Sequence, residues 1–153
     1  MSDLIDAKII KYQFEVLIKR SAADIWALMI DEIDAWWMDD FRALGGGSKV
    51  TLNAETGGQL IERAADGSSL EWYRVQMVSP GKSLYLVGYM APDWGGPTTS
   101  MLKLTVEDRD NGGALIVSDA LLGNVTEASA NSAAHGWKML FGDGLKEFVE
   151  KQR

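Results

Sequence analysis

Residues 126–153 read TEASANSAAHGWKMLFGDGLKEFVEKQR. On a helical wheel, Ala130, Ala134, Trp137, Phe141, Leu145 and Phe148 share one face, and Ala133, Leu140 and Gly144 widen it. The opposite arc carries His135, Lys138, Asp143, Lys146, Glu147 and Glu150, with Gly136 and Gly142 also on the outer side. The pattern predicts a single amphipathic helix over Thr126–Val149. Such a helix is stabilised mainly by what its apolar face packs on, so the rest of the chain has to supply a matching surface.

The preceding residues supply it as strands. Ile10, Tyr12, Phe14, Val16 and Ile18 alternate within Lys8–Lys19, the period of a strand with one apolar face. Ser21 and Asp24 then form a capping-box variant ahead of an apolar run containing Ile25, Trp26, Leu28 and Met29, which predicts a short helix. A second short helical piece is expected over Asp34–Met38, ended by Gly45-Gly46-Gly47. Six further strands are expected at Ser48–Ala54, Gln59–Ala65, Ser69–Val78, Ser83–Met90, Ser100–Asp108 and Ala114–Leu122. Turn-forming groups such as Thr56-Gly57-Gly58, Ser79-Pro80-Gly81 and Asp110-Asn111-Gly112-Gly113 separate them. Closely spaced strands favour an antiparallel meander over βαβ units. The expected fold is α+β. A curved seven-stranded antiparallel sheet wraps around the long C-terminal helix, and two short helices between strands 1 and 2 close one end. A straight helix on a concave sheet tends to leave a cavity. No repeat or linker interrupts the chain, so residues 1–153 read as one domain.

Composition narrows the function. The chain has 153 residues, 46% apolar and 24% charged, which suits a globular protein with a real core. Its net charge of −7 argues against nucleic acid and anionic membrane surfaces, both of which recruit Lys and Arg. There is no run of apolar residues long enough for a membrane span, and MSDLIDAK lacks the basic and apolar regions of a secretory signal. With no cysteine, disulfides and thiolate metal sites are excluded, and a cytoplasmic protein is the simplest expectation. Six tryptophans suit either a large core or a cavity lined with rings.

Three blocks of residues resemble a known family. They are Phe14–Trp26 (FEVLIKRSAADIW) with Trp36-Trp37, Gly57-Gly58 with Val78–Leu84 (VSPGKSL), and Gly136-Trp137 with Leu140 and Leu145. In this order, over nearly the whole chain, they resemble the START-like (SRPBCC) superfamily, whose helix-grip fold is that of the pollen allergen Bet v 1 and the lipid-transfer START domains. Within it the chain is most similar to the group related to the Hsp90 ATPase activator. The resemblance implies a cavity and a function among hydrophobic-ligand carriers, polyketide cyclases and aromatases, stress-response proteins and co-chaperones. The eukaryotic activators carry a further N-terminal domain, for which a first strand near residue 8 leaves no room in this chain.

The residues themselves offer little catalytic apparatus. The single histidine, His135, falls on the solvent side of the helix. No metal-binding spacing, nucleophile elbow or phosphate loop is present, and no cofactor is expected. Asp31, Glu32, Asp34, Asp39 and Asp40 read as a solvated surface, and Gly45–Gly47 and Gly95-Gly96 as flexible hinges. Asp119, in LIVSDALLG, shares a strand face with Leu115 and Val117. Turned inward, its desolvated carboxyl would have a raised pKa and could hydrogen-bond a ligand; turned outward, it is an ordinary strand carboxylate. Glu62, Glu71 and Arg74 pose the same question, because alternation along Leu70–Gln76 leaves open which set faces in.

The candidate ligand-binding residues are therefore mostly aromatic rings and methionines, the usual lining of small-molecule pockets. Trp37, Met38 and Phe41 are expected at the cavity mouth, Trp72, Tyr85, Tyr89 and Met90 on central strands, and Trp94 in a lid-like loop. Met101 starts the next strand, Asp119 adds a polar group, and Trp137 and Phe141 form the floor. Core packing is the alternative for each ring. The expected partner is a small hydrophobic molecule, bound without catalysis. A cyclase-like enzyme and an Hsp90-type interaction protein are the other readings, and a homodimer stays open.

Overall fold

In the computed structural model, which describes residues 2–153, a seven-stranded sheet curls around the C-terminal helix. The strands are β1 (Lys8–Ile18), β2 (Lys49–Leu52), β3 (Gln59–Arg63), β4 (Ser69–Ser79), β5 (Ser83–Met90), β6 (Thr98–Arg109) and β7 (Gly112–Gly123). They lie in the order β1-β7-β6-β5-β4-β3-β2, and every neighbouring pair is antiparallel. Between β1 and β2 stand α1 (Ala22–Asp31), α2 (Ile33–Trp36) and a 3-10 turn, Asp39–Phe41. The Ser21 hydroxyl caps α1 by accepting from the Asp24 N–H, as the capping-box pattern requires.

The expected α+β helix-grip architecture is thus present. Its core lies on the concave side, where Val16, Ile18, Leu84, Leu86, Leu102, Leu104, Leu115 and Val117 meet Ile25 and Met29 of α1 and the C-terminal helix. Each strand contributes alternate residues to this face because strand side chains alternate. β4 departs from the rule twice. Leu60 pairs with Tyr73 but Ile61 with Glu71, which leaves Trp72 as an extra residue in a β-bulge. Val75 pairs with Leu86 but Met77 with Tyr85, which does the same for Gln76. Each bulge switches the inward parity and bends the strand.

The C-terminal helix also departs from ideal geometry. Helix α3 (Glu127–Met139) passes into a π-helical segment, Leu140–Lys146, and then into α4 (Glu147–Lys151) without a break. The Thr126–Ser129 capping box starts it. A π segment spreads its turn over more residues than an α-helix, so side chains beyond it fall one place later than a regular wheel predicts. Val149 is fully buried where the wheel had placed Phe148, which is only half-buried. Gly144 allows the closest approach on this helix, for a Cβ there would sit 2.7 Å from the Trp36 carbonyl oxygen.

Two loops expected to be flexible hinges are held in different ways, one by steric fit and one by side-chain ties. A Cβ on Gly96 would overlap the Met90 carbonyl, so only glycine fits. The Gly45–Gly47 loop is tied down at both ends by Arg42 and Glu62. The Arg42 guanidinium donates to Asp34 Oδ1 at 2.8 Å, to the Asp34 carbonyl at 2.7 Å, to the Trp37 carbonyl at 2.8 Å and to the Ser48 carbonyl at 2.8 Å. Asp34 is accordingly part of the framework rather than solvated surface. Burial alone would raise its pKa, but the Val50 N–H and the Arg42 guanidinium hold it below the usual value.

Candidate functional site

A cavity of about 240 Å³ lies between the concave sheet face, α3 and the turn that follows α2. The first bulge of β4 shapes it. With Trp72 as the extra residue, Trp72 and Tyr73 both line the cavity instead of facing opposite ways. Trp72 lies 5.7 Å from the Trp37 ring, and Tyr73 lies 6.0 Å from the Trp137 ring. Gly88, on β5 opposite, makes room for them. A Cβ there would come within 2.5 Å of the Trp72 carbonyl oxygen and 2.8 Å of the Tyr73 ring.

Eight of the twelve residues expected to bind a ligand line this space: Trp37, Phe41, Trp72, Tyr89, Met90, Trp94, Asp119 and Trp137. Trp37 is buried and its indole N–H donates to the Phe41 carbonyl at 3.0 Å, which fixes both rings. Tyr89, Met90 and Trp94 are exposed and form the rim beside the 3-10 turn Pro92–Trp94.

The other four lie elsewhere. Tyr85 and Met101 point to the convex face, since the inward residues of β5 and β6 are Leu84, Leu86, Leu102 and Leu104. Tyr85 is covered there by the Lys103 ammonium, 4.9 Å from its ring centre. Met38 packs against the π segment at Gly144. Phe141 is buried behind Trp137, stacked at 5.3 Å and 17°, and so supports the wall from the far side. His135 is exposed, as its wheel position implies. Gly136 does not face outward: it lines the cavity, and a Cβ there would lie 3.6 Å from Phe41.

The polar end of the cavity was read only in part. Asp119, 3% exposed, faces inward on β7. Its Oδ2 accepts from the Tyr12 hydroxyl at 2.6 Å and its Oδ1 from the Ser100 hydroxyl at 2.8 Å. The Tyr73 hydroxyl lies 2.7 Å from Ser100 Oγ. Burial pushes the Asp119 carboxyl above its ordinary pKa, against the hydroxyls of Tyr12 and Ser100, the Ala120 N–H and the Trp137 side chain, which favour the ionised form. Burial likewise pushes the hydroxyls of Tyr12 and Tyr73 up, and the Asp119 carboxylate adds to both shifts. Ser100, Tyr73 and Tyr12 were not singled out from the sequence. Tyr12 carried a signal, being the one hydroxyl on the apolar face of β1.

The remaining polar candidates do not enter the cavity as free groups. Glu71 touches its edge but is held by Arg74 at 2.8 Å and by Gln59 at 2.7 Å, while Arg74 is exposed. Glu62 is fully buried outside the lining. It accepts from the Ala43 and Leu44 N–H groups, the Ser48 hydroxyl and the Trp72 indole, at 2.7–3.0 Å. Among the described residues, no group of three His, Asp or Glu side chains gathers to hold a metal, and no helix is long and apolar enough to cross a membrane.

No family model and no curated protein matches the chain. Solved structures do. An uncharacterized protein of Rhizobium leguminosarum is 14% identical with a TM-score of 0.72, over 96% of this chain and 98% of that one. A Mesorhizobium loti protein is 18% identical with a TM-score of 0.69, over 94% and 99%. DynU16, a protein of the dynemicin biosynthetic locus, is 16% identical with a TM-score of 0.67, over 92% of this chain but only 47% of its own length. At these identities the likeness concerns the fold alone, and with the sheet and helix described above it is a Bet v 1-like, helix-grip fold.

Proposed function

We propose that the protein binds a small apolar or aromatic molecule in the cavity between the sheet and the C-terminal helix, without transforming it, and that residues 1–153 act as one binding unit. The observation that carries this reading is the lining: Trp37, Phe41, Trp72, Trp94 and Trp137 converge on one space, with a single polar cluster at its end. Such a lining suits burial of a ring system with one oriented polar group. The volume of about 240 Å³ exceeds the ~150 Å³ that accommodates benzene in an engineered cavity, so a bicyclic ring is the natural size. Within the fold we place the chain beside the Hsp90 ATPase activator group, on the residue blocks that resemble it. That kinship supports a shared scaffold rather than chaperone stimulation.

Titration with a panel of aromatic and aliphatic probes, followed by tryptophan fluorescence, tests the proposal. Saturable quenching that Gly136→Ala weakens, in a variant that remains folded, is expected. A panel in which nothing binds overturns it.

Asp119 favours a second reading, a cyclase-like enzyme that uses the same cavity, and DynU16 comes from a biosynthetic locus. A carboxyl of raised pKa in an apolar site can move protons on a bound ketone. Deuterium exchange beside the carbonyl of 2-tetralone separates the readings. Exchange accelerated by the protein and lost in Asp119→Asn supports the enzyme; exchange at the buffer rate supports simple binding.

A further inference from the structure

With Asp119 ionised, the hydroxyl groups around it have only one consistent arrangement. Ser100 donates its single proton to Asp119 Oδ1, so in the 2.7 Å contact between Ser100 and Tyr73 the tyrosine must be the donor. Tyr12 donates to Oδ2. All three hydroxyl protons therefore run toward the carboxylate. What Asp119, Ser100 and Tyr73 leave for the cavity they line is lone pairs.

The charge has no counterpart inside the protein. No salt bridge among the described residues includes Asp119, and no Lys, Arg or His lines the cavity. Lys11 and Lys103, on the neighbouring strands, alternate to the convex face. Buried carboxylates are ordinarily paired or held neutral. Here the carboxylate borders a cavity walled by aromatic side chains, among them Trp72, Tyr73 and Trp137. The net charge of −7 adds a long-range bias of the same sign.

We propose, on the basis of the binding function set out above, that the cavity selects an apolar ring system carrying a protonated amine, whose ammonium supplies the missing counter-charge beside Asp119. The ammonium has only donors, matching the acceptor lone pairs of Asp119, Ser100 and Tyr73. Its positive charge is stabilised by the Asp119 carboxylate. The ring body fills the space beneath Trp37, Phe41 and Trp94. A carboxylate ligand would meet like charge at that end. A neutral alcohol satisfies the lone pairs but leaves the charge uncompensated.

Tryptamine, 3-ethylindole and indole-3-propionate share one bicyclic body and differ in the charge of the tail, so calorimetric titration of the three into the whole chain at pH 7 is decisive. Tryptamine should bind roughly 10-fold or more tighter than 3-ethylindole, as a charge-assisted hydrogen bond in a dry site implies, with indole-3-propionate weakest. In Asp119→Asn the amine advantage should shrink to about twofold or less, with circular dichroism and a cooperative thermal transition showing that the variant is folded. Ser100→Ala removes one competing donor from Oδ1 and should keep the amine preference, giving a second variant if Asp119→Asn does not fold. Equal affinities in the unmodified chain, a preference for indole-3-propionate, or an amine preference that survives in folded Asp119→Asn overturns the inference while leaving apolar binding intact. If neither these nor any other apolar probe binds, the binding function falls with it.

Discussion

Glu62 and Asp119 are both carboxylates buried on the inner side of one sheet, 0% and 3% exposed, yet their surroundings push their pKa values in opposite directions. Glu62 sits where the residue 43–48 loop folds back over β3. Burial raises its pKa, but the Ser48 hydroxyl, the Leu44 and Ala43 N–H groups and the Trp72 indole together outweigh burial and hold it below the ordinary value. Asp119 faces a cavity, and its donors do not outweigh burial. Similar exclusion of solvent therefore has two consequences. Four donors, three from the residue 43–48 loop and one from β4, turn Glu62 into a structural tie; Asp119, deeper in the protein and beside open space, keeps a raised pKa in spite of its donors.

Glu62→Ala should be the more damaging change to make at either carboxylate. It strands four donors, two of them backbone N–H groups, and should cost about 3–5 kcal/mol in denaturant unfolding. Asp119→Asn keeps the shape and an acceptor for one of the two hydroxyls, while the other must turn to accept from the new amide, and it should change stability at pH 7 by only about 1 kcal/mol. Similar losses in the two variants would erase the distinction between tie and site.

The distinction should also appear in the pH dependence. A carboxyl raised in the folded state contributes stability that is fully present below its unfolded pKa and is lost as pH rises through the folded value. Asp119 should thus stabilise the fold on acidification toward its unfolded pKa of about 3.9. A lowered carboxyl does the reverse. Glu62 contributes stability that is present above its unfolded pKa of about 4.3 and lost as pH falls through the folded value. Denaturant unfolding at a series of pH values should show Asp119→Asn with a smaller gain on mild acidification and Glu62→Gln with a shallower acid-side decline, the rest of which belongs to other lowered carboxyls such as Asp34. If wild type and Asp119→Asn gave parallel curves, Asp119 would have to titrate normally.

These differences follow from contacts that a local pattern does not encode. Strand period, turn glycines and the apolar stripe of residues 126–149 made the architecture legible, because each is a local consequence of backbone geometry. The aromatic lining was partly legible for the same reason: Trp137 sits on the apolar face of the helix and Trp37 on the short piece expected at the cavity mouth, whereas alternation along β4 left the side of Trp72 open. Four assignments failed where geometry was non-local or irregular. Tyr85 and Met101 lie on the convex face because the register of β5 and β6 fixes their parity. Met38 and Phe141 belong to packing around the π segment, which a regular wheel does not contain. Tyr73 was overlooked because the bulge at Trp72 depends on pairing with β3. The opposite fates of Glu62 and Asp119 rest on donors 10–19 and 19–107 residues away.

The smallest effect is expected at Gly136, and it separates stability from cavity volume. Glycine inside a helix costs up to ~1 kcal/mol relative to alanine, so Gly136→Ala should raise stability by a fraction of that. The new methyl would lie 3.6 Å from Phe41, ordinary contact that forces no rearrangement, but it would occupy space in the lining. It touches neither Glu62 nor Asp119. The variant should melt slightly higher and bind bicyclic probes more weakly, while the pH dependence of its stability stays that of wild type. A gain in stability with unchanged affinity would place the ligand's ring away from α3, toward the sheet and the Asp119 end. A loss of both would mean that the helix and Phe41 cannot accept even one methyl, and that the wall formed by α3 is as tightly fitted as the core behind it.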